Sequence, residues 1–177
     1  KVVFRKCRFL GFQDTLYNWG KKVRQYFEDC YIEGTVDFIF GSSTAVFNRC
    51  EIRAIGSGYL TAASTIQDES FGYVFIDCNL TAIDSVSSYL GRPWRPYAKT
   101  VYINCEMGSH INPEGWNNWG KADNEKTAFY AEYRSKGPGA DKSKRASWSK
   151  QLTKDEAKAY KPENILKGSD GWNPLGH

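Results

Sequence analysis

The chain repeats one arrangement of apolar and polar positions five times, each copy centred on a cysteine. The copies read Val-Phe-Arg-Lys-Cys-Arg-Phe, Tyr-Phe-Glu-Asp-Cys-Tyr-Ile, Val-Phe-Asn-Arg-Cys-Glu-Ile, Val-Phe-Ile-Asp-Cys-Asn-Leu and Val-Tyr-Ile-Asn-Cys-Glu-Met. A polar residue precedes every cysteine (Lys6, Asp29, Arg49, Asp77, Asn104), and an apolar one stands two places after it (Phe9, Ile32, Ile52, Leu80, Met107). Alternation of this kind is strand periodicity, with Cys on the buried face. The aromatic three places before each cysteine breaks the parity. The pattern therefore demands either a bend there or burial on both faces.

From Cys7 to Cys30, Cys50, Cys78 and Cys105 the steps are 23, 20, 28 and 27 residues. Self-similarity at this period, with one strong strand per unit, predicts stacked coils. A leucine-rich repeat has the right length, but its Leu-x-x-Leu-x-Leu signature and Asn ladder are missing. An all-β, right-handed parallel β-helix fits better, each coil burying an aromatic, an aliphatic residue and a Cys above those of its neighbour. Strands in such a stack lie ~4.8 Å apart, within the Cα range of a disulfide. Cys30 and Cys50, in the shortest coil, are the candidate pair; a ladder of buried free thiols satisfies the same pattern. The repeat is expected to stop near residue 108. Coils are assigned to residues 1–125, and residues 126–177 to a tail of loop and short helix packed on the outside. Within that tail Thr153 and Glu156 form a capping box, and Pro162 is expected to close the helix.

Composition narrows the partners. The 177 residues fit one domain, opening at Lys1 directly into a strand, as a piece of a longer domain would. A net charge of +4 with no basic stripe gives no footprint for nucleic acid. No stretch is long and apolar enough to span a membrane. Lys142, Lys144 and Arg145 read as a solvated loop. The cysteines stand singly and only His110 and His177 are present, so zinc and redox motifs are poor readings. There is no G-x-S-x-G elbow, His110 lies in a turn-like segment, and no glycine-rich phosphate loop occurs.

Carboxylate chemistry remains. Asp14 in Gly-Phe-Gln-Asp-Thr-Leu-Tyr and Asp37 in Gly-Thr-Val-Asp-Phe-Ile-Phe-Gly are wedged among apolar and aromatic neighbours, where an ionised acid needs a partner. Each stands seven residues after its cysteine, so stacking coils would set the two side by side. Arg92, held between Gly91 and Pro93, would suit a carboxylate, and Gln13 adds an amide beside Asp14. With Arg92 on Asp37, Asp37 keeps its charge and Asp14 holds the proton. A buried Asp that satisfies turn amides is the structural alternative for either acid.

These motifs, followed by Leu-Gly-Arg-Pro-Trp, Pro-Glu-Gly-Trp-Asn-Asn-Trp and Phe-Tyr-Ala-Glu-Tyr, resemble the signatures of the pectin methylesterases over essentially the whole chain. The resemblance implies a single-stranded, pectin-lyase-like β-helix that hydrolyses methyl esters of polygalacturonate without a cofactor. Residue by residue, it makes Asp37 the nucleophile, Asp14 the acid and then base, Gln13 an oxyanion amide and Arg92 the residue that fixes Asp37. Tyr17, Phe40, Trp94 and Trp116 would line the substrate cleft. It also implies a second oxyanion Gln and further coils ahead of Lys1, leaving this chain as an incomplete domain. Pectin is the implied partner, with a secreted or cell-wall location, a monomeric state and room for a proteinaceous inhibitor. A non-catalytic pectin-binding β-helix stays open, as does a polygalacturonase, a calcium-dependent lyase, or an esterase of this fold acting on another acyl group such as a thioester.

Overall fold

The computed structural model describes residues 1–176, and every strand pairing among them is parallel. The first coil holds β1 (Val2–Arg5), β2 (Arg8–Phe9) and β3 (Leu16–Asn18); the second holds β4 (Arg24–Glu28) and the long β5 (Tyr31–Gly41). The third is β6 (Thr44–Asn48) and β7 (Glu51–Ala63). The fourth is β8 (Tyr73–Ile76), β9 (Asn79–Ala82), β10 (Ser88–Tyr89) and β11 (Arg92–Pro93). Then come β12 (Lys99–Ile103), β13 (Glu106–Met107), helix α1 (Ala122–Thr127), β14 (Phe129–Tyr133) and β15 (Lys150–Gln151), and finally α2 (Lys154–Ala157) and α3 (Pro162–Leu166). One sheet runs β1-β4-β6-β8-β12-β14-β15. The other runs β13-β9-β7-β5-β2, with β3, β10 and β11 pairing along the far halves of β5 and β7. Strands stacked coil upon coil in two parallel sheets are a parallel β-helix.

A bend resolves the broken parity around each cysteine. Lys6, Asp29, Arg49, Asp77 and Asn104 all adopt left-handed backbone, with φ between 52° and 54°. One such residue turns the chain from the first sheet into the second. The aromatic before the bend and the cysteine after it therefore both face the interior. The bend residues stay in the ladder: Asp29 N–H donates to Asn48 O and Arg49 N–H to Ile76 O.

Inside, Phe4, Phe27, Phe47, Phe75 and Tyr102 form a column of stacked rings, with successive centroids 5.0, 4.7, 4.5 and 4.5 Å apart. Offset stacking adds about 0.5–1.5 kcal/mol per pair beyond simple burial. The cysteines run alongside as free thiols, so the Cys30–Cys50 disulfide is not formed. Each deeper thiol lies within hydrogen-bond range of the carbonyl of an aromatic one coil back: Cys50 on Phe27, Cys78 on Phe47, Cys105 on Phe75. That contact satisfies the sulfur without a partner sulfur.

Two boundaries differ from expectation. The coils do not end by residue 125, because β14 pairs in register with β12, with Ile103 opposite Tyr133. Arg134 supplies the same bend (φ 52°), and Ser135 stands where a cysteine would, its hydroxyl accepting from Cys105 N–H. The intervening loop and α1 displace this sixth copy, and serine removes its marker. Pro162 opens α3 instead of closing α2, a first-turn position where its missing N–H costs nothing. The Thr153–Glu156 capping box is present at α2. Beyond it, Ile165 and Leu166 pack on Tyr26, Val46 and Val74 at the outer face of the first sheet. From α2 onward the tail thus lies outside the coils. No helix among the described residues is long and apolar enough to cross a membrane.

Candidate active site

Asp14 and Asp37 occupy equivalent places in successive coils. Beyond them, Leu16 pairs with Ile39 and Tyr17 with Phe40, and Asp14 N–H donates to Val36 O. Both acids are left-handed, at φ 56° and 53°, a conformation that Asp tolerates better than most residues. In β5 this falls mid-strand. The pairing with β7 shifts register on both sides of Val36, a bulge that re-aims the side chain of Asp37. Gly34 allows it: a Cβ there would sit 2.2 Å from Cβ of Phe38 and 2.6 Å from the carbonyl of Phe12.

Arg92 reaches Asp37 from two coils away. Phe40 pairs with Ala62, and Ala62 with Arg92, so the third coil offers only a small side chain on that line. The guanidinium crosses it and makes a two-point contact, Nε to Oδ1 at 2.9 Å and Nη2 to Oδ2 at 2.7 Å. Rings cover it on both sides, Tyr59 at 3.8 Å and Trp119 at 3.7 Å from Cζ. Asp37 is 6% exposed. Burial pushes its carboxyl above the ordinary range, the Arg92 guanidinium pulls it back, and the charge of nearby Asp14 pushes it up again. The balance is upward, so burial opposes the charge that Arg92 was expected to hold on Asp37. Asp14 and Gln13 are exposed beside it.

Three of the four expected aromatics share this face. Tyr17 stacks on Phe40 at 4.5 Å, and Trp94 lies 6.0 Å from Phe40. Tyr17 is 51% exposed, open to a ligand. Trp19, Ile66, Trp94 and Tyr97 continue the face into an apolar groove of about 480 Å³. Trp116 does not join it. At 1% exposure it is core, packed between Tyr102 and Tyr130, with Nε1 donating to Glu132. Trp119, three residues on, is the ring that reaches the site. Its turn was readable in Asn117-Asn118-Trp119-Gly120, where both Asn side chains accept backbone N–H groups. That this ring covers Arg92 was not readable, and nothing in the sequence marked Tyr59. His110 is buried elsewhere, beside a concavity lined by Ile83 and Asp84, and His177 lies outside the described residues. No cluster of three or more His, Cys, Asp or Glu able to hold a metal ion occurs among the described residues.

Fold and site together define a class: a parallel β-helix protein presenting two adjacent carboxylates, one gripped by arginine, on an aromatic face. Within that class the comparisons are specific. The pectinesterase family model matches residues 1–169, and the chain belongs to the pectinesterase family. It is 49% identical over 160 residues to pectinesterase 31 of Arabidopsis thaliana, covering 89% of this chain and 50% of that protein. Among solved structures, the pectin methylesterase from carrot superposes with a TM-score of 0.87 at 34% identity, covering 95% of this chain and 57% of the carrot chain. A pectin methylesterase mutant solved in complex with a hexasaccharide gives 0.80 at 33%, covering 97% and 58%. The chain spans about half the length of the curated relatives it matches.

Proposed function

We propose that the chain carries the ester-cleaving centre of a pectin methylesterase and converts methyl-esterified polygalacturonate and water into pectate and methanol. The observation that carries this reading is the two-point Arg92–Asp37 pair with Asp14 in the adjoining coil. Arg92 favours the ionised carboxylate against the burial that opposes it, which leaves Asp37 a charged oxygen nucleophile in a partly dry site. An Asp37 oxygen adds to the ester carbonyl carbon, and the Gln13 amide donates to the oxyanion. The carbon–oxygen bond to methanol then breaks as Asp14 supplies its proton. Water next gives one proton to Asp14 and adds its oxygen to the galacturonate carbonyl carbon of the acyl-enzyme. The bond from that carbon to the Asp37 oxygen breaks, the new galacturonic acid loses its remaining proton to solvent, and the Asp37 carboxylate and the Asp14 acid are restored. Tyr17, Phe40 and Trp94 offer ring faces against which sugar rings stack. A cell-wall polysaccharide as substrate puts this work outside the cell.

The test is the product profile on highly methylated pectin. The reading requires one methanol per carboxylate formed, without new reducing ends or unsaturated sugars. Reducing ends would assign a glycosidase, and unsaturated ends a lyase; either result rejects the esterase reading.

A further inference from the structure

The loop that carries Trp119 is anchored from behind by an ion pair far more buried than the active site. Arg145 and Glu132 have side chains only 4% and 3% exposed, so of the three basic residues expected in a solvated loop only Lys142 and Lys144 are exposed, and Arg145 turns inward to its carboxylate. Arg145 Nε and Nη2 donate to Glu132 Oε1 and Oε2 at 2.8 and 3.1 Å. The rest of the guanidinium is spent on backbone, with Nη1 on Pro113 O at 3.0 Å and Nη2 on Gly139 O at 2.6 Å. Glu132 Oε1 also accepts the indole N–H of Trp116 at 3.3 Å. Arginine and tryptophan thus converge on one carboxylate and bracket Gly115. That residue sits at φ +70°, and a Cβ there would come within 2.6 Å of Arg145 Cδ.

The other edge of the same loop holds the approach to Arg92. Gly115 O accepts Leu90 N–H at 2.7 Å, and Asn117 N–H donates to Gly91 O at 3.1 Å. Leu90 and Gly91 immediately precede Arg92, and Trp119 at the loop's end covers the Arg92 guanidinium. A rigid chain of contacts therefore runs from Glu132 through Arg145, Trp116 and Gly115 to Arg92 and on to Asp37.

We propose that the buried Glu132–Arg145 pair positions Arg92 on Asp37 through the 112–119 loop, so that Arg145 is a positioning residue for the reactive carboxylate. The inference rests on the reading of Asp37 as the reactive acid, but its test needs no turnover. Arg92 and the Asp14 carboxylate act on Asp37, and the charge of Asp37 in turn raises the buried Tyr130 hydroxyl. If the loop slackens, Arg92 supports the ionised form less, while burial and Asp14 still oppose it. Asp37 must then titrate higher.

Carbon-13 NMR of the Asp carboxyls across pH reads this directly, with Asp37 assigned by its absence in Asp37→Asn. Arg145→Lys keeps a cation against Glu132, but one ammonium cannot hold Glu132 and the carbonyls of Pro113 and Gly139 in the fork geometry. Trp116→Phe keeps a ring and removes only the indole donor. In both variants, folded by near-UV circular dichroism, Asp37 is expected to titrate higher by roughly half a unit or more. Thr153→Ala, which weakens the remote tail helix, is expected to leave it unmoved. An unmoved Asp37 in the folded variants overturns the proposal, as does an equal shift in Thr153→Ala. Should Arg145→Lys fail to fold, Trp116→Phe decides alone. Absence of methanol release from the parent chain would count against the esterase reading and leave this test intact.

Discussion

Asp37 answers to burial and to Arg92 at once, and burial prevails, so its carboxyl sits above the ordinary Asp range. In the proposed reaction the attacking form is the carboxylate. Activity should therefore fall as pH drops through this raised value, and the acid limb of the rate profile should lie above that of an ordinary Asp. Arg92→Lys, which replaces a fork by a point charge, should move the limb higher still; steady-state methanol release across pH measures both. Gln13 is exposed. Gln13→Ala is expected to lower kcat by about 10²–10³-fold, the usual worth of one oxyanion donor, at unchanged melting temperature. The acids and Arg92 were legible in sequence because Asp14 and Asp37 stand at the same offset from successive cysteines. Tyr59 and Trp119 were not, because their partner is fixed by stacking across distant coils. Trp116 was misread because a motif does not say which of its two tryptophans faces inward.

The repeating element is strand, left-handed bend, strand. Period-two alternation read as one strong strand per coil, and the bend that splits it, a single residue at φ near 53°, leaves no signature when Lys, Arg, Asp and Asn all serve there. The aromatic-to-cysteine parity break was the trace it left. The thiols show the same limit, since spacing permitted a disulfide and only the carbonyl of the preceding coil decides against it. The thiol of the next coil, together with burial, pushes the Cys30 and Cys50 thiols well up, Cys50 against a downward pull from Cys30, and burial foremost raises Cys78; a thiol is inert until it ionises. A thiol reagent applied to the native chain should thus label half-buried Cys7 first and the others only on unfolding. Denatured, unreduced chain should titrate five thiols; a count of three would mean that a disulfide forms after all.

Across the whole molecule, stability and chemistry lie on different sides. The outer face of the first sheet is closed by α3 and its flanking turns, through Leu166, Ile165 and the bond from Arg24 Nη1 to Leu166 O. The acids and rings occupy the opposite half of each coil, along β3, β5, β7 and β11. Leu166→Ala should cost about 2–5 kcal/mol in denaturant unfolding and leave KM on methylated pectin unchanged; a raised KM would show the tail coupled to the cleft. The sequence indicated an outer tail, but its sixth coil was hidden once serine replaced cysteine. The most direct test of the central claim compares methanol release from highly methylated pectin by the parent chain and by Asp37→Ala, each confirmed folded by circular dichroism. Steady release by the parent and none above background from the variant is the expected result. Equal release from both, or none from the folded parent, would contradict it.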